Sequence, residues 1–332
     1  MLELKNIHKT FSPGTINEKV VFEGLNFKVE EGDFITVIGG NGAGKSTMLN
    51  AIAGVWPVDE GRIIISGEDV TGLPDYKRAH LVGRVFQDPT VGTAASMELE
   101  ENLALAYRRG KKRGLGWGVT AHEKKIYRER LASLELGLED RMTEKAGLLS
   151  GGQRQALTLL MATLVRPKIL LLDEHTAALD PKTAEKVLNA TDKIVNSDNL
   201  TTLMITHNMR DAIHYGNRLI MMNEGRVILN ISGEEKKNLT IEDLLHKFEE
   251  VSGTEFTNEC KPIVEHYFYV LNLIPTLTSG VWHMGLGDIF GDYSNDVLAL
   301  VLVYILIAVV LVVAMTVQKK YGDKYDVRKI IH

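Results

Sequence analysis

The 332-residue chain has a single cysteine, Cys260. No internal disulfide is available to it, which fits a reducing compartment. It also lacks a charge excess of either sign: 38 Lys and Arg stand against 43 Asp and Glu, for a net charge of −5. That balance is ordinary for a soluble enzyme and carries no basic footprint for nucleic acid, so no nucleic-acid partner is expected. The opening Met1-Leu-Glu-Leu-Lys5 runs straight into a strand pattern without an apolar h-region. No signal peptide is expected, and this part of the chain should stay in the cytosol. No internal repeat is visible, so the chain should hold one functional unit. From Pro262 to Gln318 there is no Lys or Arg at all.

What is present begins with Phe34-Ile-Thr-Val-Ile38, an uncharged, β-rich run entered through Gly32-Asp33. It predicts a buried strand. The next eight residues, Gly39-Gly40-Asn41-Gly42-Ala43-Gly44-Lys45-Ser46, fit G-x-x-x-x-G-K-[ST] without mismatch, and Thr47 follows. Lys45 to Val55 predicts a helix. Glycines let backbone N–H groups turn inward around phosphate oxygens, and the helix N-terminus adds partial positive charge at the same point. Lys45 would reach the β- and γ-phosphates of a nucleotide, and the Ser46 hydroxyl would hold Mg²⁺.

A second apolar run, Lys168-Ile-Leu-Leu-Leu172, ends in Asp173-Glu174. Two carboxylates closing a buried strand are costly unless they have a task. Side chains alternate along a strand, so the two point differently. Asp173 suits the Mg²⁺ shell, and Glu174 can face an attacking water as general base or as the residue that positions it.

Together with Leu149-Ser150-Gly151-Gly152-Gln153, these residues resemble the ATP-binding subunit of ABC transporters over about residues 1–250. The resemblance implies further roles. Gln87, in Val-Phe-Gln-Asp-Pro, matches the loop that senses Mg²⁺ and the transport partner. Ala177-Ala-Leu-Asp180 matches the loop that crosses to the other subunit. His207, after Thr202-Leu-Met-Ile-Thr206, matches the histidine that contacts the γ-phosphate. Phe11 stands where the family carries an aromatic that stacks on adenine. With His175, where many relatives have Pro, and Arg109-Gly-Lys-Lys-Arg-Gly-Leu115, the chain resembles the ATPase of a group of bacterial importers. Those work with a substrate-binding lipoprotein and a separate permease, and some are associated with aromatic amino acids such as tryptophan.

The stretch Leu149–Gln153 also has a physical reading of its own. Ser150-Gly-Gly precedes a strongly helical segment, which makes a second helix N-terminus with small residues and a hydroxyl, a second anion site. In the family it docks on the γ-phosphate held by the other subunit, so the resemblance implies a homodimer.

The expected fold class is α/β: a mostly parallel P-loop sheet flanked by helices, an antiparallel β-subdomain, and a helical subdomain at about residues 95–165. Residues 1–38 and the hairpin Gly61–Gly67 read as antiparallel strands. The hairpin Arg218–Asn230 turns at Asn223-Glu-Gly225, and Ile241–Glu250 reads as an amphipathic helix. The basic stretch from Tyr107 to Arg130 is either a solvated loop or a contact with a permease or with anionic headgroups.

Residues 251–332 depart from the family pattern. Val297 to Val317 is uncharged and, at 1.5 Å per residue, would span about 31 Å, the thickness of a bilayer core. Lys319, Lys320, Lys324, Arg328 and Lys329 follow it, which places the C-terminus in the cytosol by the positive-inside rule. The ATPase must be cytosolic too, so either a second crossing lies at 263–286, a weaker apolar stretch interrupted by Glu265, His266 and Pro275, which would make a helical hairpin, or a single transmembrane helix leaves the C-terminus outside against the charge rule. The expected location is the cell membrane with the ATPase on its cytoplasmic side. Two spans cannot enclose a path, so the permease must be another chain, with an extracytoplasmic substrate-binding protein as a further partner. Two rival readings are an exporter ATPase, which fused to its own pore would need several more spans, and a non-transport ABC protein, which usually carries two ATPase units or a long coiled coil.

Overall fold

A computed structural model describes residues 1–111 and 118–252. Strands β1 (Leu2–Phe11), β2 (Lys19–Val29) and β3 (Phe34–Gly39) lead into helix α1 (Lys45–Ala53). Next come β4 (Glu60–Ile65), the short β5 (Glu68–Asp69), α2 (Asp75–Arg78) and β6 (Val82–Val85). A helical stretch follows: α3 (Leu99–Tyr107), α4 (Ala121–Ala132), a 3-10 turn at Ala146–Leu148 and α5 (Gly151–Thr163). The chain then alternates through β7 (Ile169–Asp173), α6 (Pro181–Ser197), β8 (Thr202–Ile205) and α7 (Met209–His214). It continues with β9 (Arg218–Asn223), β10 (Arg226–Ser232), α8 (Gly233–Lys237) and α9 (Ile241–Ser252).

The strands form two sheets. One is antiparallel, in the order β2-β1-β4-β5. The other has the order β10-β9-β3-β8-β7-β6 and is parallel except at β10. The α/β class and the antiparallel subdomain are as expected, and α3 to α5 supply the helical one.

The period-2 alternation of the central strands decides which face meets what. Ile169, Leu171, Leu203, Ile205, Ile35 and Val37 join a core cluster with Met48, Leu49 and Ile52 of α1 and with Leu2, Leu4, Ile63 and Ile65 of the antiparallel sheet. Helix α1 is therefore packed between the two sheets. Leu170, Leu172 and Met204 face the other way, onto Leu159 of α5 and Leu188 and Val195 of α6. A parallel sheet covered on both faces explains why these strands read as continuous apolar runs.

Helix ends follow local chemistry. Helix α1 stops at Gly54, whose αL backbone (φ 82°) lets its N–H cap the last turn. The buried Arg78 side chain then donates to the carbonyls of Ala51 and Ile52, at 2.7 and 2.9 Å, and closes the helix's negative end. Helix α6 starts at Asp180, whose carboxylate accepts from Thr183 N at 3.1 Å, with Pro181 in the first turn. The hairpin β9–β10 turns through Glu224 (φ 45°) and Gly225 (φ 73°), the paired left-handed residues of a type I′ turn.

Both proposed membrane stretches, 263–286 and 297–317, lie outside the described residues. Among the described residues no helix is long and apolar enough to cross a membrane.

Candidate functional site

Strands β3, β8 and β7 are neighbours and parallel, so their carboxyl ends open at one edge. In open α/β sheets that edge is where ligands bind. Gly39 ends β3 and Asp173 ends β7, and His207 follows β8 by two residues. Three segments far apart in sequence meet here because the strand order brings them together.

A cavity of about 240 Å³ at this edge is lined by Phe11, Lys19, Val21, Asn41, Gly42, Ala43, Gly44, Lys45, Ser46, Thr47 and Glu174. A larger one, about 520 Å³, is lined by Met1, Glu31, Arg166, Lys168 and Asn199 among others, near the amino ends of β7 and β8, and holds none of the expected site residues. The Lys45 ammonium donates to the carbonyls of Gly39 and Gly40 at 2.7 and 3.0 Å, so it lies across the loop. Burial pushes its pKa down, against the pull of Glu174 and Asp173. Gly44 precedes it with φ 96°, and a Cβ there would stand 2.8 Å from the Phe22 ring. Any side chain at that position would both strain the backbone and displace a core aromatic.

Asp173 and Glu174 diverge as strand alternation requires. The Ser46 hydroxyl donates to Asp173 Oδ1 at 3.2 Å. Burial raises the Asp173 pKa, while the guanidinium of Arg84, at 3.6 Å from Oδ2, works in the other direction. Glu174 leaves the strand in a left-handed conformation, φ 45°, rare for a side chain of this kind. Such a backbone costs about 1–3 kcal/mol; Glu135 and Glu224, outside the site, share it. Glu174 lines the cavity; His207 is not part of that lining, but its Nδ1 lies 3.8 Å from Glu174 Oε2. His207 holds the Glu174 pKa below its usual value, with help from Lys45, and Glu174 in turn raises that of His207.

Phe11 is on the cavity wall and meets Trp56 edge to face at 5.0 Å between centroids. Gln87 is exposed two residues past β6 and is not part of the cavity lining. Ser150, Gly151, Gly152, Gln153 and Asp180 also stand outside that lining. Ser150 caps α5: its hydroxyl accepts from Gln153 N at 3.3 Å, and the Gln153 side chain accepts from Ser150 N at 3.2 Å. At Gly152 a Cβ would lie 2.0 Å from Thr183 Cγ2, so α5 packs closely on α6 here and a larger residue would have to push the Thr183 side chain aside.

Two contributors were not legible in advance. Gly225, in the β9–β10 turn, donates to the Ala43 carbonyl at 3.1 Å and braces the phosphate-type loop from behind. Arg84 projects from β6 toward Asp173; a lone Arg inside Val82-Gly-Arg-Val85 was the available signal. The basic stretch is also partly accounted for within the chain. Arg108 pairs with Glu123 at 3.0 Å, Arg109 donates to the carbonyls of Ala162 and Val165 at 3.0 and 2.7 Å, and the Lys111 ammonium sits 3.8 Å from the Tyr107 ring centroid. These three are held by α4, the end of α5 and α3, so their charges have partners within the chain.

The donors fit a nucleotide with Mg²⁺. Ser46 and Asp173, hydrogen-bonded to each other, offer hard oxygens, and Mg²⁺ takes one or two carboxylates, keeps several waters and shares the nucleotide's phosphates. That need is met without an all-protein cage, and none of three or more His, Cys, Asp or Glu exists among the described residues.

Comparison with known proteins agrees. The profile of the family described as ABC transporter matches residues 22–177. A tyrosine transport ATP-binding protein of Clostridioides difficile is 47% identical over 75% of this chain and 99% of its own length. A phosphonates import ATP-binding protein of Treponema denticola is 32% identical over 69% of this chain and 89% of that one. Among solved structures, an ATP-binding cassette described as a dimer in a post-hydrolysis state bound to ADP and Pi superposes with a TM-score of 0.60. It shares 32% identity and covers 70% of this chain and 98% of that one. The chain belongs to the ABC transporter family, as an ATP-binding subunit with ATPase activity.

Proposed function

We propose that the edge formed by β3, β8 and β7 binds ATP and Mg²⁺ and hydrolyses the nucleotide to drive solute import through a separate permease. The observation that carries this reading is the convergence of Lys45 and Glu174 on one cavity with Ser46 hydrogen-bonded to Asp173. Phe11 offers its ring to the adenine. Backbone N–H groups from Gly39 to Thr47 and the Lys45 ammonium receive the phosphates. Ser46, Gln87 and Asp173 would hold Mg²⁺, which would neutralise phosphate charge when bound. Glu174, kept ionised by His207 and Lys45, accepts a proton from the attacking water. His207 stands beside it to contact the γ-phosphate.

Ser150, Gly151, Gly152 and Gln153, with Asp180, act on the nucleotide of a second copy. Their place outside the chain's own cavity and the dimeric relative support this. Import of an amino acid, aromatic in kind, is supported by the relative named for tyrosine transport. An extracytoplasmic substrate-binding protein would deliver it. Residues 251–332 anchor the subunit to the membrane by spans at 263–286 and 297–317, with residues 1–250 as the ATPase domain on the cytoplasmic side. A tag placed after His332 should resist external protease in spheroplasts; cleavage from outside would rule out the two-span arrangement.

Glu174→Gln should lower turnover by about 100-fold or more, the scale of a lost general base, while ATP affinity stays near the starting value. Lys45→Ala should weaken ATP binding itself. Equal loss of binding and turnover in Glu174→Gln, measured by nucleotide titration and phosphate release, would remove Glu174 from the chemistry.

A further inference from the structure

The parallel register of β6 and β7 sets Arg84 opposite Leu171. Paired residues share a face, and Asp173 lies two residues on, so Arg84, Leu171 and Asp173 all face the α1 side of the sheet. The Arg84 side chain is only 14% exposed and that of Asp173 15%. Its guanidinium lies 4.5 Å from the centroid of the Phe86 ring, and its buried Nε has no hydrogen-bond partner among the described residues. The remaining polar contact is a long ion pair, Nη2 to Asp173 Oδ2 at 3.6 Å. The other carboxylate oxygen, Oδ1, accepts from Ser46. Asp173 is thus shared between a full positive charge of the protein and the hydroxyl expected to bind Mg²⁺.

We propose that Arg84 is a positioning residue of the Mg²⁺ site, a resident counter-cation that aims the Asp173 carboxylate and sets how much Mg²⁺ nucleotide binding requires. This rests on reading Ser46 and Asp173 as Mg²⁺ residues. A carboxylate at the end of a buried strand needs a positive partner, and the guanidinium supplies one within the fold. Its charge also opposes a divalent ion arriving at the same carboxylate. Stacking on Phe86 with an unpaired Nε leaves the guanidinium loosely tethered, so it can yield when the metal arrives. A residue that only packs would have no such effect on the metal.

The test measures binding of a fluorescent ATP analogue to the full chain, titrated with MgCl₂ and repeated in EDTA. Arg84→Met should bring the Mg²⁺ midpoint down by about tenfold, the scale of one positive charge acting on a divalent ion in a partly hydrated site. Affinity in EDTA should change by no more than about twofold, and Arg84→Lys should return the midpoint toward the starting value. Arg84→Gln, which also removes the charge, serves if Arg84→Met does not fold. An unchanged midpoint in the neutral variants, or equal changes with Mg²⁺ and in EDTA, would overturn the role of Arg84 alone. Absence of any Mg²⁺ dependence in the unaltered protein would overturn the metal assignment and the Arg84 role with it.

Discussion

His175 sits immediately after the proposed catalytic Glu174 and is 1% exposed. Its Nε2 lies 3.1 Å from Thr191 Oγ1, and that hydroxyl already donates to the Val187 carbonyl. Thr191 therefore accepts, and His175 is the neutral tautomer with its proton on Nε2. Burial pushes its pKa from 6.5 down to about 4. The unfolded chain binds this proton below pH 6.5 and the folded chain refuses it until about pH 4. The stability linked to His175 is therefore complete above that window and declines through it as pH falls, by roughly 3 kcal/mol in total. Melting temperatures between pH 7 and 4 should fall less steeply in His175→Gln than in the unaltered chain. Parallel slopes would show that His175 does not titrate as a buried group. In sequence this position showed only a departure from the proline of many relatives. Its partner, sixteen residues on, becomes visible only when α6 packs behind β7.

At the scale of elements, the phosphate-type loop depends on a hairpin that follows it by some 180 residues. A Cβ on Gly225 would lie 1.8 Å from the Val21 carbonyl oxygen, far inside van der Waals contact, and Gly225 has φ 73°. Its N–H donates to Ala43 within the loop. Gly225→Ala should thus combine backbone strain, a clash with β2 and loss of the loop's brace. We expect a stability loss of at least about 2 kcal/mol and weaker ATP binding, read by denaturant titration and nucleotide titration. Unaltered ATP affinity in a folded Gly225→Ala protein would separate the brace from the site. The turn itself was legible, because Asn223-Glu-Gly225 between apolar runs predicts it. What it presses against was not, since β2, β9 and the loop belong to different parts of the chain. Helix α1 shows the same division: its start at Lys45 follows from the motif, whereas its end, expected at Val55, comes at Ala53. Gly54 and the carbonyl-binding Arg78 stop it there.

For the whole molecule, one question is whether two copies close on each other. Ser150 lies at the N-terminus of a 13-residue helix whose first turn is outside the chain's own nucleotide cavity. The proposed dimer gives that terminus an anion to bind. With Mg²⁺ and ATP, the Glu174→Gln protein should double in mass by light scattering, and Ser150→Arg added to it should keep the protein monomeric. ATP-dependent doubling that survives Ser150→Arg would place the dimer contact elsewhere. The sequence by itself determined the motif residues, the strand and helix that carry them and the α/β class, because phosphate cradling and strand burial impose strict local residue types. Only the tertiary structure decided that β3, β8 and β7 are adjacent, that Arg84 shares Asp173 with Ser46, and that Gly225 supports the loop. The physical reason is that strand order and close backbone approach are long-range packing outcomes. No local pattern of side chains encodes which distant carbonyl or carboxylate a residue will meet.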